Sequence, residues 1–110
     1  MKQTVTLWLM VLTVAAQTQV LAAAPGKDIY IQTCLVCHGE DGKGVMPGVP
    51  DITGKDGPLS QANETLLKRM TEGFQSPGSP MAMPPKGGNP AITEKQMQEV
   101  LKYLQRTFLP

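Results

Sequence analysis

The chain has 110 residues, 41% of them hydrophobic, with 10 Lys plus Arg against 9 Asp plus Glu and a formal net charge of +1. That length supports one small domain whose apolar core alone is marginal, and so even a charge balance excludes a basic face drawing affinity for nucleic acid from counterion release. Two cysteines and one histidine also argue against a zinc framework, which takes about four N, S or O ligands.

The first stretch has its own character: Lys2 beside the amino terminus, an apolar run from about Val5 to Ala16, then small residues at Ala22, Ala23 and Ala24. This pattern predicts a secretory signal peptide over residues 1–22, with cleavage after Ala24 as the alternative, and a single domain over 23–110. An uncleaved membrane anchor is the competing reading, but Gln17, Thr18 and Gln19 interrupt the apolar run before the roughly 20 residues a span requires. Without Lys2 the ten basic residues fall to nine and balance the nine acidic ones. Export would place the chain in an oxidising compartment, where two free thiols this close in sequence would be drawn towards a disulfide unless other chemistry consumed them.

Gly26 to about Cys37 reads as a first helix, with Tyr30 and Cys34 on one face at four-residue spacing. At its end stand Cys34, Cys37 and His38, the only Cys-x-x-Cys-His in the chain. On one helical turn the two thiols lie nearly on the same face, where each can bond one vinyl group of a porphyrin, and the adjacent imidazole is then a natural axial ligand for the iron. The spacing therefore predicts one covalently attached c-type haem. A thioredoxin-like dithiol would need a βαβ context that the sequence lacks.

From Gly39 to Leu59 the chain is punctuated by Gly42, Gly44, Pro47, Gly48 and Pro50 and reads as a long loop. Asn63 is the expected N-cap of a helix running through Glu72, with Leu66, Leu67 and Met70 as its buried stripe and Gly73 as its stop. Phe74 to Pro90 is loop again. Thr93 and Gln96 fit a capping box, and the last helix follows to about Thr107 with Met97, Val100, Leu101, Leu104 and Phe108 on its apolar face. No strand, repeat or coiled-coil signal emerges, so the expected fold is all-α, with about three helices and glycine- and proline-rich loops around one haem.

If His38 holds one axial position, the opposite ligand decides between electron transfer and small-molecule chemistry. Methionine is the candidate, and beyond the predicted signal peptide the choices are Met46, Met70, Met81, Met83 and Met97. Met70 and Met97 fall on apolar helical faces and read as core filler. Met46 lies only eight residues after His38, too few to pass around the porphyrin edge. Met81 and Met83 alternate along an extended segment, so at most one should face the iron. Met83 precedes Pro84 and Pro85, which bias its backbone to an extended form and stiffen the loop, and it is the preferred ligand with Met81 as the fallback.

The Cys34-x-x-Cys37-His38-Gly39 segment, together with Gly26, Tyr30, the Met83-Pro84-Pro85-Lys86-Gly87-Gly88 loop and Tyr103-Leu104, resembles the bacterial class I monohaem cytochromes c. The likeness runs from about Gly26 to Leu104, and the Met-Pro-Pro-Lys-Gly-Gly loop narrows it to a short bacterial branch. The resemblance implies the cytochrome c fold, with the first and last helices crossing where Gly26 meets Tyr103. It also implies haem c bound through Cys34 and Cys37 with His38 and Met83 on the iron. Partners would dock where the haem edge breaks the surface. Lys43, Lys55 and Lys86 are the cations placed to ring that edge, against the plainer reading that they are solvated loop charges.

The expected function is therefore a periplasmic, monomeric electron carrier, passing single electrons between respiratory or dehydrogenase partners in transient encounters, with no stable membrane insertion and no enzymatic activity. The alternative is a haem-containing enzyme, or an electron-accepting subunit of a dehydrogenase complex. A structural or thiol-disulfide module would instead carry unmodified thiols.

Overall fold

The computed structural model describes residues 25–110, so the expected signal peptide and its cleavage site lie outside the described residues. Among the described residues three helices account for the regular structure. The first, α1, is continuous through Pro25–Ile29, Tyr30–Cys34 and Leu35–His38, and its middle segment is π-helical. Helix α2 spans Asn63–Glu72 and helix α3 spans Glu94–Phe108. Short 3₁₀ turns at Pro58–Ser60 and Pro85–Gly88 interrupt the two long loops. Among the described residues the only strand-like pairing is an isolated antiparallel bridge between Phe74 and Met83. The expected all-α architecture is the one observed.

The π turn in α1 has a local cause that periodicity did not show. Thr33 Oγ1 donates to the Ile29 carbonyl at 2.7 Å, a back-bond that competes with the regular ladder, and the Leu35 N–H reaches the Tyr30 carbonyl five residues back. The extra residue in that turn changes the rotational phase between Tyr30 and the Cys34 to His38 segment.

Helix α3 starts as its sequence dictates. Gln96 N–H donates to Thr93 Oγ1 at 3.2 Å, and Thr93 N–H donates to Gln96 Oε1 at 2.9 Å, closing both halves of the capping box. Its five-residue apolar face, Met97, Val100, Leu101, Leu104 and Phe108, is buried throughout. Helix α2 departs from expectation at its start. Asn63 is the first residue of the helix and caps nothing; Ala62 precedes it without a side-chain cap, and the Asn63 carboxamide accepts from Gln105 Nε2 at 2.7 Å. A tie to α3 has taken the acceptor that a cap would have used. Gly73 does stop α2, at φ 85°.

The helices meet as the resemblance implied, with the closest approach shifted by one turn. A Cβ on buried Gly26 would overlap the Glu99 carbonyl oxygen and lie 3.1 Å from Tyr103 Cβ. Only a residue without a side chain lets α1 settle this far onto the α3 backbone. Beside the crossing, the Tyr30 ring packs 5.5 Å from Tyr103 and 5.7 Å from Phe108, centroid to centroid. Ile52, Leu59 and Ile92, supplied by loops, complete the core with Leu66 of α2.

Candidate functional site

Between these elements lies a cavity of about 260 Å³. Its walls include Cys34, Cys37 and His38 from the end of α1, Leu66, Arg69 and Met70 from α2, Met97 and Leu104 from α3, and Gly48, Val49, Pro50, Ile52 and Leu59 from the first long loop. The segment from Met81 to Pro84 supplies another wall, with Phe74 and Ser79 beside it. The structure thus brings Cys34, Cys37, His38 and Met83, all named from sequence, to one predominantly apolar space.

The end of α1 is held by the loop that comes after it. Gly39 N–H closes onto the Leu35 carbonyl at 2.8 Å, Val45 N–H onto Cys37 at 2.9 Å and Gly44 N–H onto His38 at 3.0 Å. Those bonds satisfy carbonyls that a helix terminus otherwise leaves unpaired. The Tyr30 hydroxyl, from a residue only 1% exposed, donates to the Gly39 carbonyl. The His38 carrier segment is therefore tied to the aromatic cluster at the helix crossing.

Burial sets the chemistry of these groups. Desolvation lowers the His38 pKa, which keeps the imidazole neutral and its lone pair available. Burial raises the Cys34 thiol, partly offset by Thr33, whose hydroxyl lies 3.3 Å from Cys34 Sγ. The two cysteines are not joined in a disulfide.

Met83 is fixed by its backbone. Its N–H donates to the Phe74 carbonyl at 2.7 Å, and its carbonyl accepts from Phe74 N–H at 3.1 Å. Gly73 makes that approach possible, since a Cβ there would stand 2.9 Å from the Met83 carbonyl oxygen. Beyond Pro84 and Pro85 the chain turns through Lys86 at φ 53° and Gly87 at φ 62°. A left-handed lysine is strained backbone of the kind that persists where surrounding packing over-determines it.

Met81 also lines the cavity, so alternation along the segment does not turn it away from the site. Met70 and Met97 line it too, Met97 being otherwise buried in the core, whereas Met46 is 37% exposed and is not part of the wall. None of Lys43, Lys55 and Lys86 contributes to the lining; the cation that does is Arg69, whose guanidinium lies 3.9 Å from the Phe74 ring centroid. Neither residue belongs to a motif that marks the site in the sequence. Arg69 stands three residues after Leu66, so it shares the inner face of α2, and that spacing was the available signal.

A haem c fits this site on three observations. The walls are predominantly apolar, so an apolar group of matching size would remove that surface from water. The buried Nδ1 of His38 has no hydrogen-bond partner, an orphaned polar atom on a ring suited to iron. Two thiols and several thioethers share the space with that imidazole, a donor set soft enough for haem attachment and ligation. Among the described residues no group of three or more His, Cys, Asp or Glu is placed to hold a metal ion.

Comparison with known proteins agrees with this chemistry. The family model described as cytochrome c matches residues 23–108. Over 90 residues the chain is 32% identical to cytochrome c-555 of Prosthecochloris aestuarii, covering 78% of this chain and 88% of that protein. Cytochrome c-554(548) of Halomonas halodenitrificans is 30% identical over 81 residues, covering 74% of this chain and 90% of the relative. The cytochrome c subunit of a quinone alcohol dehydrogenase from Gluconacetobacter polyoxogenes is 26% identical over 90 residues, covering 79% of this chain but only 19% of that subunit.

Proposed function

The chain belongs to the cytochrome c family and is an electron-transfer protein with covalently bound haem c, and we propose that it is a periplasmic one-electron carrier whose iron is closed between His38 and Met83. The observation that carries this reading is the arrangement of one apolar cavity, with Cys34, Cys37 and His38 on the α1 wall and Met83 pinned to Phe74 by two backbone hydrogen bonds. When bound, the haem supplies a ferric/ferrous couple that accepts and releases one electron. Cys34 and Cys37 would anchor it through thioether bonds, and His38 would supply a neutral imidazole to the iron. Met83 would supply the second protein ligand; thioether ligation would favour the ferrous state and raise the potential relative to two histidines. With His38 and Met83 both on the iron, oxygen and peroxide would find no open site, which suits a protein that carries electrons rather than transforming a substrate. The Pro84-Pro85 pair and the two backbone bonds to Phe74 hold the Met83 backbone in place. The Met-Pro-Pro-Lys-Gly-Gly loop supports membership of the short bacterial branch of the family.

Partners dock beside the attachment motif. Val36, 68% exposed, lies between the two cysteines, and Val45, 57% exposed, is bonded through its N–H to Cys37. With half-exposed Met46 they offer an apolar patch suited to small, transient contacts, and Lys43, Lys55 and Lys86 are the cations proposed to guide the approach of a partner. Among the described residues no helix is long and apolar enough to cross a membrane, and the carrier acts as a diffusible monomer after removal of residues 1–22. A second reading, an electron-accepting subunit of a dehydrogenase complex, is favoured by the similarity to the alcohol dehydrogenase subunit. Co-purification from periplasm separates the two: a stable complex with a dehydrogenase supports the subunit, a free monomer the carrier.

The ligand assignment is tested by substitution. Met83→Ala should abolish the weak far-red sulfur-to-iron band of the oxidised protein and admit carbon monoxide promptly to the reduced one, while Met81→Ala keeps the band. Survival of the band in Met83→Ala with its loss in Met81→Ala would reverse the assignment. Mass spectrometry of the exported protein should give the 23–110 polypeptide plus one haem.

A further inference from the structure

We infer that Ser79 is a positioning residue, a latch that joins the two long loops at the rim of the cavity and limits access of small ligands to the position held by Met83. The inference rests on the reading of Met83 as the axial ligand. Ser79 lies four residues before it, half-buried on the cavity wall. Its hydroxyl donates to the Met81 carbonyl at 2.9 Å and has a second acceptor, the Gly48 carbonyl, at 3.4 Å across 31 residues of sequence. The same oxygen accepts from the Met81 N–H at 3.4 Å. One side chain therefore touches the segment leading into Met83 and the tip of the opposing loop.

The junction is packed as well as bonded. The turn closed by Val49 N–H on the Met46 carbonyl presents Gly48 at φ 92°. A Cβ there would lie 3.0 Å from Ser79 Oγ, 3.1 Å from Met81 Cγ and 3.1 Å from Pro80 Cδ. Gly48, Ser79 and Met81 all border the cavity, so parting the loops at this point opens it beside the segment that carries Met83. The backbone of Ser79 is held without its hydroxyl: its N–H donates to the Ser76 carbonyl at 3.0 Å, and its carbonyl accepts from Gln75 Nε2 at 3.0 Å. Loss of the hydroxyl thus loosens the junction and leaves the local turn standing.

The test is imidazole binding to the oxidised holoprotein, monitored at the Soret band in stopped flow, for wild type, Ser79→Ala, Ser79→Thr, Gly48→Ala and Met83→Ala. Ser79→Ala should bind imidazole faster by roughly three- to tenfold, the factor set by one neutral hydrogen bond. It should keep the far-red band at equilibrium and show faster amide exchange at Met81. Ser79→Thr, which restores the hydroxyl, should return towards the wild-type rate, and Gly48→Ala should match or exceed Ser79→Ala. Wild-type binding by both Ser79→Ala and Gly48→Ala, while Met83→Ala binds much faster, would overturn the latch and leave the ligand intact. If Met83→Ala itself retains the far-red band and the slow rate, it is the ligand reading that fails.

Discussion

Tyr30 shows how one side chain serves both packing and the site. Its ring fills the space between Tyr103 and Phe108, while its hydroxyl reaches the Gly39 carbonyl, one residue past His38. Burial is the main reason its pKa rises from 10.0 to about 12. Between those values the unfolded chain loses the phenolic proton and the folded chain keeps it, so stability is full below pH 10 and falls as pH rises towards 12. Tyr30→Phe should lose about 1–2 kcal/mol at neutral pH, because the Gly39 carbonyl is left buried without its partner. It should also flatten the decline above pH 10 relative to wild type; denaturant titrations across pH 7–12 check both. Arg69 makes the complementary point. Its position on the inner face of α2, over the Phe74 ring, connects that helix to the residue that pins Met83.

The elements are joined at points where two backbones approach without side chains between them. At the α1–α3 crossing, a methyl on Gly26 would gain about 1 kcal/mol of helix propensity. It would also collide with the Glu99 carbonyl, a backbone group that cannot rotate aside. Gly26→Ala should therefore destabilise the holoprotein by about 2 kcal/mol net, read as a lower thermal midpoint at unchanged far-red absorption. The second join is within α1. The π turn at Tyr30–Cys34 places the attachment residues one step out of phase with a regular helix, and the Thr33 back-bond to Ile29 sustains it. Apolar periodicity found α1 and its length but is blind to a turn of this kind, since one inserted residue leaves the stripe recognisable. The capping box of α3 was legible because both of its partners lie within three residues. Asn63 was misread because its partner, Gln105, comes from another helix.

At the scale of the whole molecule, the cavity takes the centre that a larger protein would fill with its own side chains. Left to water, its apolar walls would forfeit burial on which a small domain with a stability of about 5–15 kcal/mol depends. The haem is thus part of the core as well as the redox centre. A Cys34→Ala/Cys37→Ala protein freed of haem should lose cooperative thermal unfolding and near-ultraviolet circular dichroism while retaining much of its helical signal, and should bind a hydrophobic dye. Cooperative melting near the holoprotein's midpoint would show that the three helices hold together unaided.

The sequence by itself determined local features. The Cys34, Cys37 and His38 spacing is that of attachment within one helical turn, the α3 cap and stripe are written in neighbouring residues, and Pro84-Pro85 stiffens the chain on the C-terminal side of Met83, the proposed ligand. Tertiary structure alone decided which groups share the cavity. It brought Met81 to the wall beside Met83, placed Arg69 inside and left Lys43, Lys55 and Lys86 off the lining, clamped Met83 to Phe74 and set Ser79 against Gly48. The reason is physical: spacing within a turn is set by backbone geometry that every helix shares, whereas contacts across loops depend on where glycine-rich segments fold back, and their local residues permit many paths.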